Sequence, residues 1–211
     1  MKIDKTDKIF EGGRKLPIME DFYTLQGEGY NMGKAAYFVR IGGCDVGCAW
    51  CDTKQSWNAK LFPPIAIDDI IAKAAGTPAK TIVVTGGEPS LYPLDYFTER
   101  LREAGVKTMV ETSGAYDLTG KWDWVCLSPK KQSPPLQQNL NRADELKVII
   151  QKEEDLKWAE ENASKVNPEC LLFLQPEWSK RDEIMDTLTN YVMTNNQWSI
   201  SLQAHKYMKI P

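Results

Sequence analysis

The sequence has one histidine, five cysteines and no apolar run near the ~20 residues that a membrane span needs. No membrane association is therefore expected. A formal net charge of −3 leaves no basic footprint for a polyanion, so direct nucleic-acid binding is not expected either. Repeats, low-complexity tracts and an internal linker are also lacking. The opening stretch, MKIDKTDKIFEGGRKLP, has no apolar core of the kind a secretory signal carries, and a cytoplasmic address is the expectation. Thiols stay reduced there, so an odd, clustered cysteine set suggests metal or redox chemistry rather than disulfides.

What is present is a chain of 211 residues, 42% hydrophobic and 26% charged, with the make-up of a soluble globular protein that can bury a full core. One domain over residues 1–211 is expected, with residues 1–20 as a polar N-terminal lead. Strands are expected at Tyr37–Ile41, Lys80–Val84, Val106–Val110, Trp124–Leu127, Leu146–Ile150, Leu171–Leu174 and Trp198–Leu202, from their β-branched and aromatic content. Helical patterns cover Ile67–Gly76, Leu94–Gly105, Glu154–Val166 and Asp182–Thr194. Alternating β and α segments imply an α/β fold with a mainly parallel sheet, as an open sheet or partial (β/α) barrel. The link between Val110 and Trp124 is too short for a substantial helix, so helices should be fewer than strands.

Each strand runs into a short segment rich in polar residues, Gly or Pro: RIGGC, TGGEPS, ETSG, SPKK, QPEW and QAHK. Gly and Pro at one strand end merely mark a turn. At all of these ends they describe a single pocket, because parallel strands put their C-termini on one face.

Cys44, Cys48 and Cys51 form a Cx3Cx2C loop, with Cys126 and Cys170 beside apolar strands as buried hydrophobes. A structural zinc needs a fourth ligand, which His205 could supply only from the far end of the chain. A redox CxxC leaves Cys44 unexplained. Three thiolates on one short loop also suit an iron–sulfur cluster with one iron open to another ligand.

This loop, with Trp50 before its third cysteine, resembles the cluster motif of the radical S-adenosylmethionine (SAM) superfamily. TGGEP (Thr85–Pro89) resembles the superfamily's second motif, and its radical SAM type of modified partial barrel is the implied fold. FYTLQGEGYNMGKAAYFVRIGGC, CDT, SPK, ELKVII, QP and SLQAHKYMKIP resemble the family of 7-carboxy-7-deazaguanine synthases, over nearly all of Phe22–Pro211.

The resemblance implies a 4Fe–4S cluster on Cys44, Cys48 and Cys51, with SAM on its open iron. Gly86 and Gly87 would let the backbone approach SAM, and Glu88 would accept from its amino group. Ser128, Pro129 and Lys130, with Gln175, Pro176, Glu177 and Trp178, would contact the rest of SAM. Thr53 matches a Mg2+ position, and Asp52 beside it is suited to bracing the loop. The implied substrate is 6-carboxy-5,6,7,8-tetrahydropterin. Its contacts would be Leu25, Gln26, Gly27, Glu28, Arg40, Thr85, His205 and the carboxylate of Pro211, with Glu111 and His205 as acid–base groups.

The implied reaction is hydrogen abstraction at carbon six, ring contraction with loss of ammonia, and regeneration of SAM, within queuosine precursor synthesis. A reductase such as a flavodoxin or ferredoxin and a homodimer are the implied partners. Two rival readings remain at this point. A glycyl-radical activating enzyme shares the cysteine spacing but has no need of LQGEG or HKYMKIP, and a non-catalytic metal-binding module needs only the loop.

Overall fold

Each of the expected strands is present in the computed structural model, which describes residues 4–211. In chain order the strands are β1 (Lys15–Leu16), β2 (Ile18–Leu25), β3 (Ala35–Ile41), β4 (Ile65–Ala66), β5 (Thr81–Gly86), β6 (Lys107–Thr112), β7 (Trp124–Leu127), β8 (Glu145–Ile150), β9 (Leu171–Pro176) and β10 (Trp198–Ile200). The helices are α1 (Asp68–Gly76), α2 (Asp95–Glu103), α3 (Gln137–Leu140), α4 (Asp155–Ala163), α5 (Arg181–Thr194) and α6 (Ala204–Met208). Helices are fewer than strands, and the β6–β7 link carries none. Among the described residues no helix is long and apolar enough to cross a membrane.

The main sheet has eight strands in the order β10-β9-β8-β7-β6-β5-β3-β2. All neighbours are parallel except β2, which runs antiparallel to β3. Laid flat, its two edges would stand about 34 Å apart at the usual spacing between neighbouring strands. Yet the amide of Gly29, four residues past β2, donates to Ser201 Oγ, one residue past β10, at 2.9 Å. Four residues reach at most about 14 Å. The sheet must therefore curl into a partial barrel, and the β2–β3 connection crosses its open seam.

Period-two alternation then assigns the two faces. On β3, Tyr37, Val39 and Ile41 join Ile82, Val84 and Val110 against α1 and α2 through Ile70, Phe97 and Leu101. Leu146, Val148, Ile150 and Leu174 pack likewise on α4 and α5 through Leu156, Ile184 and Leu188. The intervening residues Ala36, Phe38, Val83 and Met109, with Phe22 and Trp124, fill the concave side near the strand N-termini. Further toward the strand C-termini on this face come Arg40, Thr85 and Glu111, joined by Lys147 of β8 and Gln175 of β9. The concave face thus changes from apolar to polar toward the strand C-termini.

The N-terminal segment corrects the expectation of a polar lead. Phe10 is buried and meets Tyr92 edge-on at 5.3 Å, and Leu16 is fully buried on β1, which pairs with β4. Ile18–Leu25 is strand β2. The polar composition misleads because two of its few apolar residues, Phe10 and Leu16, are buried at specific places. Residues 1–3 of that expected lead lie outside the described residues. Phe10→Ala is expected to lower the unfolding free energy by about 3 kcal/mol in urea titrations. A pendant lead would show a change under about 0.5 kcal/mol.

Candidate active site

A cavity of about 360 Å³ opens at the polar end of the concave face. Leu25, Gln26, Gly27, Glu28, Arg40, Thr85, Glu111, His205 and Pro211 line it, as do Cys44, Cys48, Cys51 and Thr53. Gly86, Gly87, Glu88, Ser128, Lys130, Gln175, Pro176, Glu177 and Trp178 line it too. Pro129 is the exception: it is buried beside the cavity without lining it. In an extended stretch alternate residues face opposite ways, so Ser128 and Lys130 face the cavity and Pro129 turns from it.

The cysteine loop is held by its backbone. Gly42 N donates to Pro17 O at 2.7 Å, Cys44 N to Trp57 O at 3.2 Å, and the Tyr92 hydroxyl to Gly42 O at 2.6 Å. The end of β5 docks directly on it: Gly87 N donates to Ile41 O at 2.7 Å and Glu88 N to Gly43 O at 2.9 Å. Gly86 sits at φ +121°, and a Cβ on Gly87 would run into the Gly43 carbonyl. Only paired glycines allow this approach. Cys44, Cys48 and Cys51 are all free thiols. Burial pushes the Cys44 thiol up to about 11, and it raises Cys48 against the pull of Lys130. Metal binding here must displace protons.

Glu88 is almost wholly buried and its carboxylate is fully engaged. It accepts from Ser90 N at 2.9 Å, Ser90 Oγ at 2.7 Å, Ser113 N at 2.8 Å, and the hydroxyls of Thr112 and Ser113. In this arrangement it ties the ends of β5 and β6 together. Meeting a ligand's ammonium would require one of those hydroxyls to turn away. Lys130 Nζ donates to Ser128 O and Oγ at 2.6 and 2.7 Å and lies 5.4 Å from the centre of the Trp50 ring. Burial lowers its pKa.

On the opposite wall, Gln26 Nε2 donates to Glu111 Oε1 at 2.9 Å, and Thr85 Oγ1 donates to Glu111 Oε2 at 3.1 Å. Lys147, with 5% of its side chain exposed, bonds Glu28 and stands 3.8 Å from Glu111. His205 packs against Gly27 so closely that a Cβ there would collide with its ring, and Ala204 N donates to Gly27 O at 2.8 Å. Burial lowers the His205 pKa, so the imidazole is neutral at neutral pH.

Sequence comparison bears directly on this cavity. The sequence model of the radical SAM superfamily matches residues 38–127, which hold the cysteine loop and TGGEP. A 7-carboxy-7-deazaguanine synthase of Flavobacterium psychrophilum is 55% identical over 95% of this chain and 95% of its own. One of Synechocystis is 42% identical over 92% of this chain and 93% of its own. The crystal structure of QueE from Escherichia coli matches with a TM-score of 0.82 at 30% identity, covering 96% of this chain and 100% of that one. The chain belongs to the 7-carboxy-7-deazaguanine synthase family.

Radical SAM membership implies a 4Fe–4S cluster and SAM as cofactors. The residues present fit them: three free thiols share a loop whose backbone is fixed, and the Gly86–Gly87 approach leaves no side chain between loop and strand. Among the described residues no three His, Cys, Asp or Glu side chains converge on one point as ligands of a single ion. A cubane takes one thiolate per iron, so the fit rests on the free thiols and their cradle.

Two charged residues on this cavity go beyond the sequence expectations for this 7-carboxy-7-deazaguanine synthase family member. Lys147 lies inside ELKVII, where a lysine amid apolar neighbours is the available signal. Lys206 bonds Asp52 at 3.1 Å and carries no signal beyond its place in the C-terminal segment. Burial would raise the Glu28 carboxyl, but Lys147, the Gln203 amide and His205 outweigh it and hold Glu28 at about 2, below the ordinary 4.5. A depressed folded-state value stabilises the fold above pH 4.5, and the contribution is lost as pH falls toward 2. Urea unfolding across that range should show the gap between the parent protein and Glu28→Gln narrowing as pH falls. A gap of constant size would contradict the assignment.

Proposed function

We propose that the chain performs the ring contraction for which its relatives are named, converting 6-carboxy-5,6,7,8-tetrahydropterin to 7-carboxy-7-deazaguanine with release of ammonia. The observation that carries this reading is the meeting of LQGEG and QAHK on the cavity of the cysteine loop. There Gly27 packs on His205, opposite Gly86 and Gly87. A binding surface for a small anionic bicycle thus faces the cofactor half of one cavity.

In this reading Cys44, Cys48 and Cys51 hold the cluster, and Gly86, Gly87, Ser128, Lys130 and Gln175–Trp178 frame SAM. Together the bound cofactors supply the hydrogen-abstracting radical chemistry at carbon six of the pterin. The carboxylates of Glu28 and Glu111 accept hydrogen bonds from the N–H edge of the substrate. Arg40 pairs with Glu20 at 2.7 Å and keeps further guanidinium donors for the substrate carboxylate. The neutral His205 exchanges a proton at the ring, and Pro211, which lines the same cavity, meets the substrate edge.

Thr53 carries Mg2+ together with substrate oxygens and water, and its hydroxyl now bonds Asp52 at 3.1 Å. A flavodoxin- or ferredoxin-class reductase, a homodimeric assembly and a cytoplasmic setting belong to the same reading.

Anaerobic reconstitution tests it. A brown protein with about four irons that cleaves SAM when reduced, and that turns over carboxytetrahydropterin, is the expected result. A glycyl radical raised on a partner protein, with no pterin turnover, would overturn it. Cys48→Ala is expected to lose both the colour and SAM cleavage, and retained cleavage would refute the ligand assignment.

A further inference from the structure

We propose that Lys147 is a positioning residue that holds Glu28 and Glu111 aimed into the cavity as paired acceptors for the pterin. The inference rests on the ring-contraction reading and goes beyond it, because that reading gives Lys147 no role toward substrate or cofactor.

The geometry is a closed ring. Gln26 Nε2 donates to Glu111, Lys147 stands between Glu111 and Glu28, and the Glu28 amide returns to Gln26 Oε1 at 3.1 Å. Thr85 holds the second oxygen of Glu111, and Gln203 Nε2 holds the second oxygen of Glu28 at 2.9 Å. Five segments of the chain therefore converge on two carboxylates, and one cation links them.

Such a pair is a poor device for stability alone. A buried ion pair seldom outperforms an apolar replacement of the same shape, since both charges lose hydration. Two carboxylates sharing a site without a cation would repel, and one would take up a proton. A protonated carboxyl offers a donor where the pterin edge also presents donors. Lys147 prevents this.

The surrounding groups do not substitute for it. Glu145, two residues back on β8, adds a further acid whose carboxyl is raised by burial. Cys126 is kept as a thiol by burial, His205 is held toward its neutral form, and Asp52 adds negative charge. Lys130, a further cation on the cavity, is engaged with Ser128 on the cofactor wall. Burial opposes the Lys147 charge, yet the carboxylates of Glu111, Glu28 and Glu145 keep its ammonium well above the usual lysine range.

The test compares Lys147→Met and Lys147→Arg with the parent holoenzyme, using carboxytetrahydropterin and SAM across pH. Lys147→Met is expected to raise KM by about tenfold to a hundredfold, the range for losing a charge-assisted contact. Without the cation Glu28 protonates more readily, so the acidic limb of kcat/KM should move up by about one unit or more. Lys147→Arg should return that limb toward its parent position. A purely structural lysine would change the folded fraction and leave the limb in place.

A folded Lys147→Met with KM within about twofold of the parent and an unmoved limb overturns the proposal. If Lys147→Met does not fold, Glu28→Gln/Lys147→Met removes both charges together, and a parent-like KM in that variant overturns it equally. SAM cleavage by the unsubstituted protein is measured alongside. Its absence overturns the radical SAM reading, whereas parent-like kinetics in Lys147→Met overturn the positioning role alone.

Discussion

The structure depends on the chain leaving β2 and crossing the seam of a curled sheet that cannot close on itself. β2 is antiparallel to β3 and β10 ends the other edge, so no strand pairing joins them among the described residues. Backbone groups of the crossing segment replace that pairing. Gly29 N reaches Ser201 Oγ, Tyr30 N reaches the Glu145 carboxylate at 3.2 Å, and Gly27 O receives Ala204 N. Unpaired buried backbone groups are costly, so these bonds hold the seam at a defined width. The same segment carries Gln26 and Glu28, and the seam therefore sets where the acceptors of the cavity stand.

From this constraint the division of the cavity follows. The C-terminal ends of β5, β7 and β9 bring TGGEP, SPK and QPEW to one wall, around the cysteine loop. The seam brings LQGEG and QAHK to the other. The apolar floor of Phe22, Phe38, Val83 and Met109 closes the barrel beneath them, with Phe22 and Phe38 stacked at 5.7 Å. A dry floor under a polar rim favours tight electrostatic contacts, because little solvent screens the carboxylates from Lys147.

Much of this is legible in the sequence, for physical reasons that can be named. Buried parallel strands such as TIVV and WVCL are unbroken apolar or β-branched runs, and glycines close α1 and mark the turn after α2. Thiol spacing and the strand-end Gly and Pro segments carry the site. β2 is less legible, because IMEDFYTL holds Glu20 and Asp21 in mid-strand. Those charges are answered by Arg40, Tyr37 and Lys73, which lie far along the chain. Lys147 is harder to read for the same reason: ELKVII shows a lysine amid apolar neighbours, but its partner Glu28 is 119 residues away. The strands β5, β6 and β9 run on to Gly86, Thr112 and Pro176, past the last apolar residue of each run. Their backbone pairing continues into the polar ends that the cavity uses, where side-chain composition no longer marks a strand.

The two walls are also mechanically linked. Lys206 on α6 bonds Asp52 of the cysteine loop, shares its ammonium with Gln203 Oε1 at 3.0 Å, and lies 4.9 Å from the centre of the Trp178 ring. With Asp52 59% exposed, such an ion pair contributes little to stability. Its value is registry. One side chain touches the cysteine loop, the QPEW segment, and Gln203, which in turn holds Glu28. Displacing α6 would disturb all three at once. A cavity assembled from distant parts of the chain needs such a joint, because no single strand spans from the cysteines to the carboxylates.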